Sequence, residues 1–572
     1  MDLEHFQHTE PRCSIQDLSA ELVLMIMDYL PFQSHLDLAC TCKRLTIASQ
    51  GVIERHQDSY SKYRVASDLD PSTVPLLLRS ASGHGDPIPA WHVRSFEVWK
   101  DRTTWSEWQT FDLHTPLIAG RDSKPSPFRV SKEDARRYLY WLEEQLGEDL
   151  DFELVQELLT QVESGHDGVL KALLFAKLSR LEDLKIVTRS QEAGSSLTSL
   201  RILISKYSTT ATAPWPMGFC SIQKVAVGVT SGTWMDDNRD EEPSTFLFSC
   251  LLRLPSLNSI YFNKLRAYMD CDDMGSDQEE EECNYEMLPK GCSSVKHIFL
   301  HGCSGSLGEE EDDLWKAPRE LLTVSLRHDG PEEFDGSTGT ANALARVQKD
   351  SLQSLMWYGY TGHYGSRNII GDHCAILDNE EFDRYKRLPA MKQMSASVYD
   401  IDLCNIYDED DHDEFIVRRV ATMFPRTMET LVLWDHPDES LAPLLERGII
   451  KMIQGGQYKN LKSIFLEATE RATGGEKKEK LWYQDATAAG KTAGVDIHTL
   501  TNREVMQHSI EFVEASDEYD LKSGIHSGIR PSDWVFDPYL GRRIPPGSRN
   551  AQYDALWASL ESRLEVYHGV DS

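Results

Sequence analysis

The chain has 572 residues, of which 40% are hydrophobic and 13 are tryptophan. That is enough apolar material for a sizeable core and more than one domain, and it excludes a largely disordered polymer. Its 59 Lys+Arg stand against 92 Asp+Glu, a net charge of −33, which opposes contact with nucleic-acid phosphates or anionic membranes.

The first residues, MDLEHFQHTEPRC, lack the basic start and apolar run of a secretory signal. Residues 1–13 read as a flexible tail. The run Leu22–Met27 is far too short to span a bilayer. Eleven cysteines, odd in number and widely spread, read as reduced thiols in the cytoplasm, the nucleus or both. Neither a membrane nor a nucleic acid is expected as a partner.

The stretch IQDLSAELVLMIMDYL (Ile15–Leu30) spaces Leu18, Leu22, Met25, Ile26, Tyr29 and Leu30 along one face of a helix. Ser19 is placed to cap it, with Asp17 and Glu21 near the positive end of its dipole. Val23, Leu24 and Met27 make much of the other face apolar as well. A helix apolar nearly all round must be covered on both sides, which a small N-terminal module cannot do alone. A short second helix over Ser34–Ala39 and a third starting near Thr41 follow.

Together, Leu18-Ser19, Glu21-Leu22, Tyr29-Leu30, Asp37-Leu38 and Cys42-Lys43-Arg44-Leu45 resemble the F-box in order and spacing. One departure is that Ser19 stands where the family usually has a helix-starting proline. The resemblance places an F-box over 14–60. It implies docking onto a Skp-type adaptor of a cullin–RING ubiquitin ligase core through Leu18, Leu22, Ile26, Leu30, Leu38 and Cys42, with Lys43 at the rim. The alternative for Leu30 and Leu38 is that they belong to the module's own core.

A connector over 61–167 is rich in tryptophan (Trp91, Trp99, Trp105, Trp108). Packing against the elements that follow explains these rings more readily than a cation-binding cage. Downstream one phrase recurs, apolar-x-x-apolar-x-apolar. Its copies start at Leu181, Leu197, Ile222, Leu257, Val295, Leu321, Leu352, Met391, Met428 and Leu461. Helix-like segments precede several copies. The pattern resembles an irregular leucine-rich-repeat array over 168–500, with the usual turn asparagine mostly missing. The rival is a doubly wound parallel sheet. Residues 501–572 read as a proline-punctuated loop and a capping helix bearing Tyr553, Leu556, Leu560, Leu564 and Tyr567. The expected fold is therefore α/β: a small all-α F-box module followed by an irregular solenoid of parallel strands and helices.

Acidic clusters follow several strand signals: Asp236 and Asp237, then Asp272 and Asp273, Glu310, and Asp408, Asp410 and Asp411. In a stacked parallel array, loops leaving the strands share one edge, so these clusters sum into a negative rim. Such a rim suits a protein substrate with a basic segment; acidic loops that serve solubility are the simpler reading.

Catalytic and metal motifs are weak. IFLHGCSGS (Ile298–Ser306) lacks the last glycine of a nucleophile elbow. AAGKT (Ala488–Thr492) lacks the first glycine of a phosphate loop. Asp270, Asp272, Gly275 and Glu281 fit four calcium-loop positions, but Met274 occupies a fifth. Cys40 and Cys42 have no second pair at zinc spacing, and Cys292 and Cys303 flank one strand signal too widely to bridge. The expectation is a non-catalytic, cofactor-free substrate receptor of an SCF-type ligase. Its rival is a repeat scaffold whose F-box acts outside any ligase.

Overall fold

A strand of five residues or fewer cannot bury its own apolar face, so its fate depends on what lies beside it. The computed structural model describes residues 15, 18–68, 71–109, 137–138, 140, 152–209, 214–228, 243–265, 288–301, 312–327, 343–358, 386, 388–398, 412–434, 441–467, 472–473, 476–477, 483–500, 535–537 and 542–544. Four helices come first: α1 (Ala20–Tyr29), α2 (His35–Ala39), α3 (Lys43–Ala48) and α4 (Gln50–Tyr63). Ser19 caps α1, its hydroxyl accepting from the Leu22 amide at 3.4 Å, and Pro31 follows the last turn.

Then β1 (Val65–Ser67), α5 (Thr73–Ala81), α6 (Ile88–His92) and β2 (Ser95–Val98) lead to α7 (Phe152–Ser164) and α8 (Gly168–Lys177). The chain continues through β3 (Asp183–Ile186), α9 (Ser196–Thr209), α10 (Met217–Ser221), β4 (Lys224–Val227), α11 (Thr245–Leu251) and β5 (Ser259–Asn263). After these come β6 (His297–His301), α12 (Asp312–Lys316), β7 (Thr323–Arg327), β8 (Ser354–Tyr358) and β9 (Gln393–Ser397). The last elements of the array are α13 (His412–Thr422), β10 (Thr430–Trp434), α14 (Leu441–Gln454), β11 (Ser463–Glu467), α15 (Gln484–Ala493) and β12 (Asp496–Leu500).

These strands form one 12-stranded sheet in which each pairs with its neighbours in sequence. All the pairings are parallel. A doubly wound sheet reverses its strand order at a switch point; this order contains no reversal. The register aligns the second residue of each strand into a column, Leu184 beside Val225, Val225 beside Ile260, and Ile260 beside Ile298. The column continues through Val324, Leu355, Met394, Leu431 and Ile464, all buried. A second column precedes the strands, with Leu181, Ile222, Leu257, Val295, Leu321, Leu352, Met391 and Met428 fully inaccessible. Each such side chain contributes about 1.5–3 kcal/mol when it leaves water. Helices α8, α9, α11, α13 and α14 complete the same core with Phe175, Leu200, Phe248, Val420 and Ile449.

Nine copies of the recurring phrase lead into strands, and each strand starts two residues after the first apolar position. The copy at Leu197 does not: LTSLRIL lies in α9. The phrase shares its three-residue step with a helix, and buried Leu197, Leu200, Leu203 and Ile204 fall on one helical face. Three strands of the sheet lie outside the copies: β1, β2 and β12. The sheet begins at Val65, well before 168, because β1 and β2 extend it into the connector. Val93, Phe96 and Val98 in fact spell the same phrase. Val535–Asp537 and Arg542–Ile544 form an antiparallel pair inside the segment read as a loop. The expected capping helix near Leu560 lies outside the described residues.

A buried charge cluster closes the first strands onto the helices. Lys171 of α8 is fully inaccessible, with its Nζ 2.7 Å from Asp68, 3.0 Å from Asp167 and 3.5 Å from Asp101. It also donates to the Lys100 carbonyl at 2.6 Å. Arg102 bonds Asp167 at 3.0 Å and the Asp68 carbonyl at 2.7 Å. The amide of Ser196, where α9 starts, donates to Asp101 at 3.1 Å. Burial works against the charge on Lys171, but Asp167, Asp68 and Asp101 outweigh it and hold the ammonium above its usual range. Burial pushes the Asp101 carboxyl up, with Lys171 opposing and Asp167 adding to the shift. Two cations thus face three carboxyl groups. Trp105 and Trp108 pack beside the cluster, their indole N–H groups donating to the carbonyls of Glu163 and Gly165.

Replacing Lys171 with Met leaves the Asp68 and Asp101 carboxyl groups buried without their cation while Asp167 keeps Arg102, and a loss of about 3–5 kcal/mol is expected. Asp101→Asn keeps an acceptor for Ser196 and should shift the urea midpoint far less. Equal effects of the two substitutions would contradict this charge assignment.

Candidate adaptor-docking site

Helix α1 has more apolar surface than its own module covers. Val23 and Met27 turn inward, and Met27 meets Ala39 and Val52 in a small core that Leu30, Leu38 and Ile53 flank. On the helix, Leu22, Met25, Ile26 and Tyr29 then share the opposite face. Leu22 is 46% exposed, Met25 54% and Tyr29 87%. Leu24 is 41% exposed, and Ile47 of α3 is 75% exposed. Scattered surface leucines are ordinary; exposed apolar side chains this dense on so small a module are not.

The sequence-derived residues divide accordingly. Leu22 is exposed, while Leu18 and Ile26 are half-buried. Leu30 and Leu38 are half-buried and pack against the small core. Cys42 is the half-buried residue that begins α3, and Lys43 beside it is exposed. Arg44 donates to the Leu18 carbonyl at 2.9 Å, which brings the start of α3 against the start of α1. Cys40 ends α2. Ile47 escaped the sequence reading; its signal was the pair Leu45 and Ile47 on a short helix, of which one can face inward.

The module is joined to the sheet by a chain of three imidazoles. His56 of α4 places Nε2 3.4 Å from Nδ1 of His35 in α2, and its Nδ1 2.9 Å from Nε2 of His92 in α6. All three rings are buried. Trp91 lies against His56 and His92, edge-on to Phe32 at 6.1 Å, with the Arg180 guanidinium 4.2 Å from its ring centroid. Trp91 thus packs largely against the preceding module and not, as expected, against the elements that follow, from which Arg180 comes.

Burial pushes His56 down to about 4, with His35 and Arg55 adding to the shift and Asp86 opposing it. His92 also falls to about 4, through burial and then His56, Arg94 and Arg180. Both rings are therefore neutral near pH 7. A neutral ring donates with one nitrogen and accepts with the other, as a continuous chain requires.

The acidic candidates Asp236, Asp237, Asp272, Asp273, Glu310, Asp408, Asp410 and Asp411 lie outside the described residues, as does the calcium-like stretch at 270–281. AAGKT lies within α15; there a Cβ on Gly490 would come within 2.6 Å of the Val495 carbonyl. Among the described residues, no group of three or more His, Cys, Asp or Glu is arranged to hold a metal. No helix among them is long and apolar enough to cross a membrane.

Residues 15–52 match the F-box domain family. That match covers α1, α2, α3 and the first residues of α4, including the exposed apolar cluster. A comparison with curated proteins returned no match. The chain therefore carries an F-box domain, a module that typically binds Skp-type adaptors, followed by a mixed α/β region built on a long parallel sheet.

For His56 and His92 the folded pKa lies below the unfolded value near 6.5. Their contribution to stability is complete above pH 6.5 and is lost as pH falls toward 4. The urea midpoint of the wild type should drop between pH 7 and pH 5, and His56→Gln should flatten that drop. An undiminished slope in the variant would show that the imidazole chain is not its source.

Proposed function

We propose that this protein is the substrate-recognition subunit of an SCF-type cullin–RING ubiquitin ligase. The F-box docks a Skp-type adaptor through Leu18, Leu22 and Ile26, with Met25, Tyr29, Leu24 and Ile47 widening the face. Cys42 and Lys43 lie at its edge. The observation that carries this reading is the F-box match over residues whose apolar side chains stand exposed.

The parallel array is read as an irregular leucine-rich-repeat solenoid. Its strictly sequential strand order and its two stacked apolar columns support that reading. The solenoid holds a protein substrate, and the acidic segments that follow its strands steer a basic part of that substrate toward it. The chain supplies no acid, base or nucleophile. It raises the rate of ubiquitin transfer by bringing substrate and charged enzyme together in a fixed orientation. The working compartment is the cytoplasm, the nucleus or both.

Leu22→Asp combined with Ile26→Asp places two carboxylates in the docking face. Adaptor affinity should fall at least about thirtyfold, roughly 2 kcal/mol, with the far-ultraviolet dichroism of the array unchanged. Calorimetry with purified adaptor checks it, and unaltered affinity would move the docking face elsewhere. A pulldown of the full chain that recovers bound proteins but neither adaptor nor cullin would favour the scaffold reading. Reversing the charges of Asp408, Asp410 and Asp411 should slow substrate capture and weaken its salt dependence.

A further inference from the structure

The net charge of −33 is not spread evenly. The described residues carry 40 Lys and Arg against 30 Asp and Glu, so the described framework is itself basic and the acidic excess lies in the remaining segments. Much of the basic charge falls at one repeated place, the turn through which the chain enters each strand. From β6 to β11 these turns contribute Lys290, Arg319, Lys349, Lys386, Arg426 and Lys459, one before each strand and all exposed. A second row, Lys296, Lys392 and Lys462, sits immediately before β6, β9 and β11.

The turns stack. Backbone bonds run from Gly291 to Lys316 at 2.9 Å and from Arg319 to Ser293 at 3.0 Å, and the Arg319 side chain donates to the Gly291 carbonyl at 2.9 Å. The Tyr458 hydroxyl donates to the Phe424 carbonyl at 3.3 Å, which ties the turn before β11 to the turn before β10. Outside the strands proper, the amides of Leu322, Gln353, Lys392, Glu429 and Lys462 each bond the corresponding carbonyl of the preceding turn. The carboxylates Glu320, Asp350 and Glu429 share these turns. Glu320 pairs with Lys296 at 3.7 Å and Glu429 pairs with Lys462. The cations outnumber them along the whole edge.

We infer that this strand-entry edge is an interaction surface for an acidic, extended polypeptide segment. Parallel strands lie about 4.8 Å apart, so the turns set roughly one cation per strand in a line rather than a broad patch. A line fits an extended chain better than a membrane plane or the wide phosphate surface of a duplex. A single-stranded nucleic acid also fits a line, but its binding uses aromatic rings on which bases stack. None of the large hydrophobic side chains exposed among the described residues lies in these turns. A five-residue strand is about 17 Å long, roughly two Debye lengths at physiological salt. A charge at a strand exit is therefore largely screened from the entry edge. This surface is separate from the α1 face and does not depend on the adaptor reading.

The test is fluorescence anisotropy of the full chain with a labelled glutamate-rich peptide. A single-stranded oligonucleotide of equal charge is the second probe. The wild type should bind the peptide, more weakly as salt rises. Lys349→Glu with Arg426→Glu and Lys459→Glu should weaken binding at least about tenfold, without changing the melting temperature or adaptor affinity. A control reversing Lys62, Arg418 and Lys491 makes the same change in net charge on helices and should bind as the wild type does. Absent peptide binding, equal losses in both variants, or tighter binding of the oligonucleotide would each overturn the assignment.

Discussion

The constraint on which this structure rests is that none of its strands is long enough to finish its own core. Each has five residues or fewer, and its apolar positions are covered only because the next strand in sequence lies against it in register. Stability in such an array is largely a sum over neighbours. An interior strand gains two neighbours and a terminal one gains only one, so the ends need other means of closure. At the N-terminal end, the Lys171 cluster ties the exits of β1 and β2 to the starts of α8 and α9. A buried cation held by three carboxylates is an expensive way to hold elements together. The cluster's partners come from four separate elements, so they meet only when the first units are in place.

The F-box module shows the opposite condition. Its internal core is a few side chains around Met27, Ala39 and Val52, too little for independent stability. It draws support from α4, which runs on to the sheet, and from the contact of Phe32 and His35 with Trp91 and His56. The outward face of α1 stays apolar although nothing in the chain's described residues covers it. That arrangement makes sense for a surface buried in another protein.

Much of this was legible in the sequence because both signals are local. Ser19, the apolar spacing of α1 and Pro31 define a helix without reference to anything distant. The recurring phrase marks strands because the same two columns must be filled at every repeat. Reading failed where one string satisfies two geometries, as at Leu197, where helical spacing won. It failed again at Val93, where tryptophans drew attention from a phrase that was present. The polar assemblies were not legible at all. His35, His56 and His92 come from three helices, and Lys171 looks like a surface lysine until its helix is seen to be buried on every side.

The imidazole junction has a mechanical consequence. Twelve parallel strands at about 4.8 Å spacing make an array roughly 50 Å from first to last, and the described contacts with the F-box lie near its first strands. The module and the far strands are therefore the two arms of a lever whose pivot is His56 and Trp91. A tilt of about 10° at that pivot displaces the last strand by about 9 Å, which exceeds the spacing between neighbouring strands. The aim of anything held at the distal end is thus set at the proximal one, by the rings that join the module to the first strands.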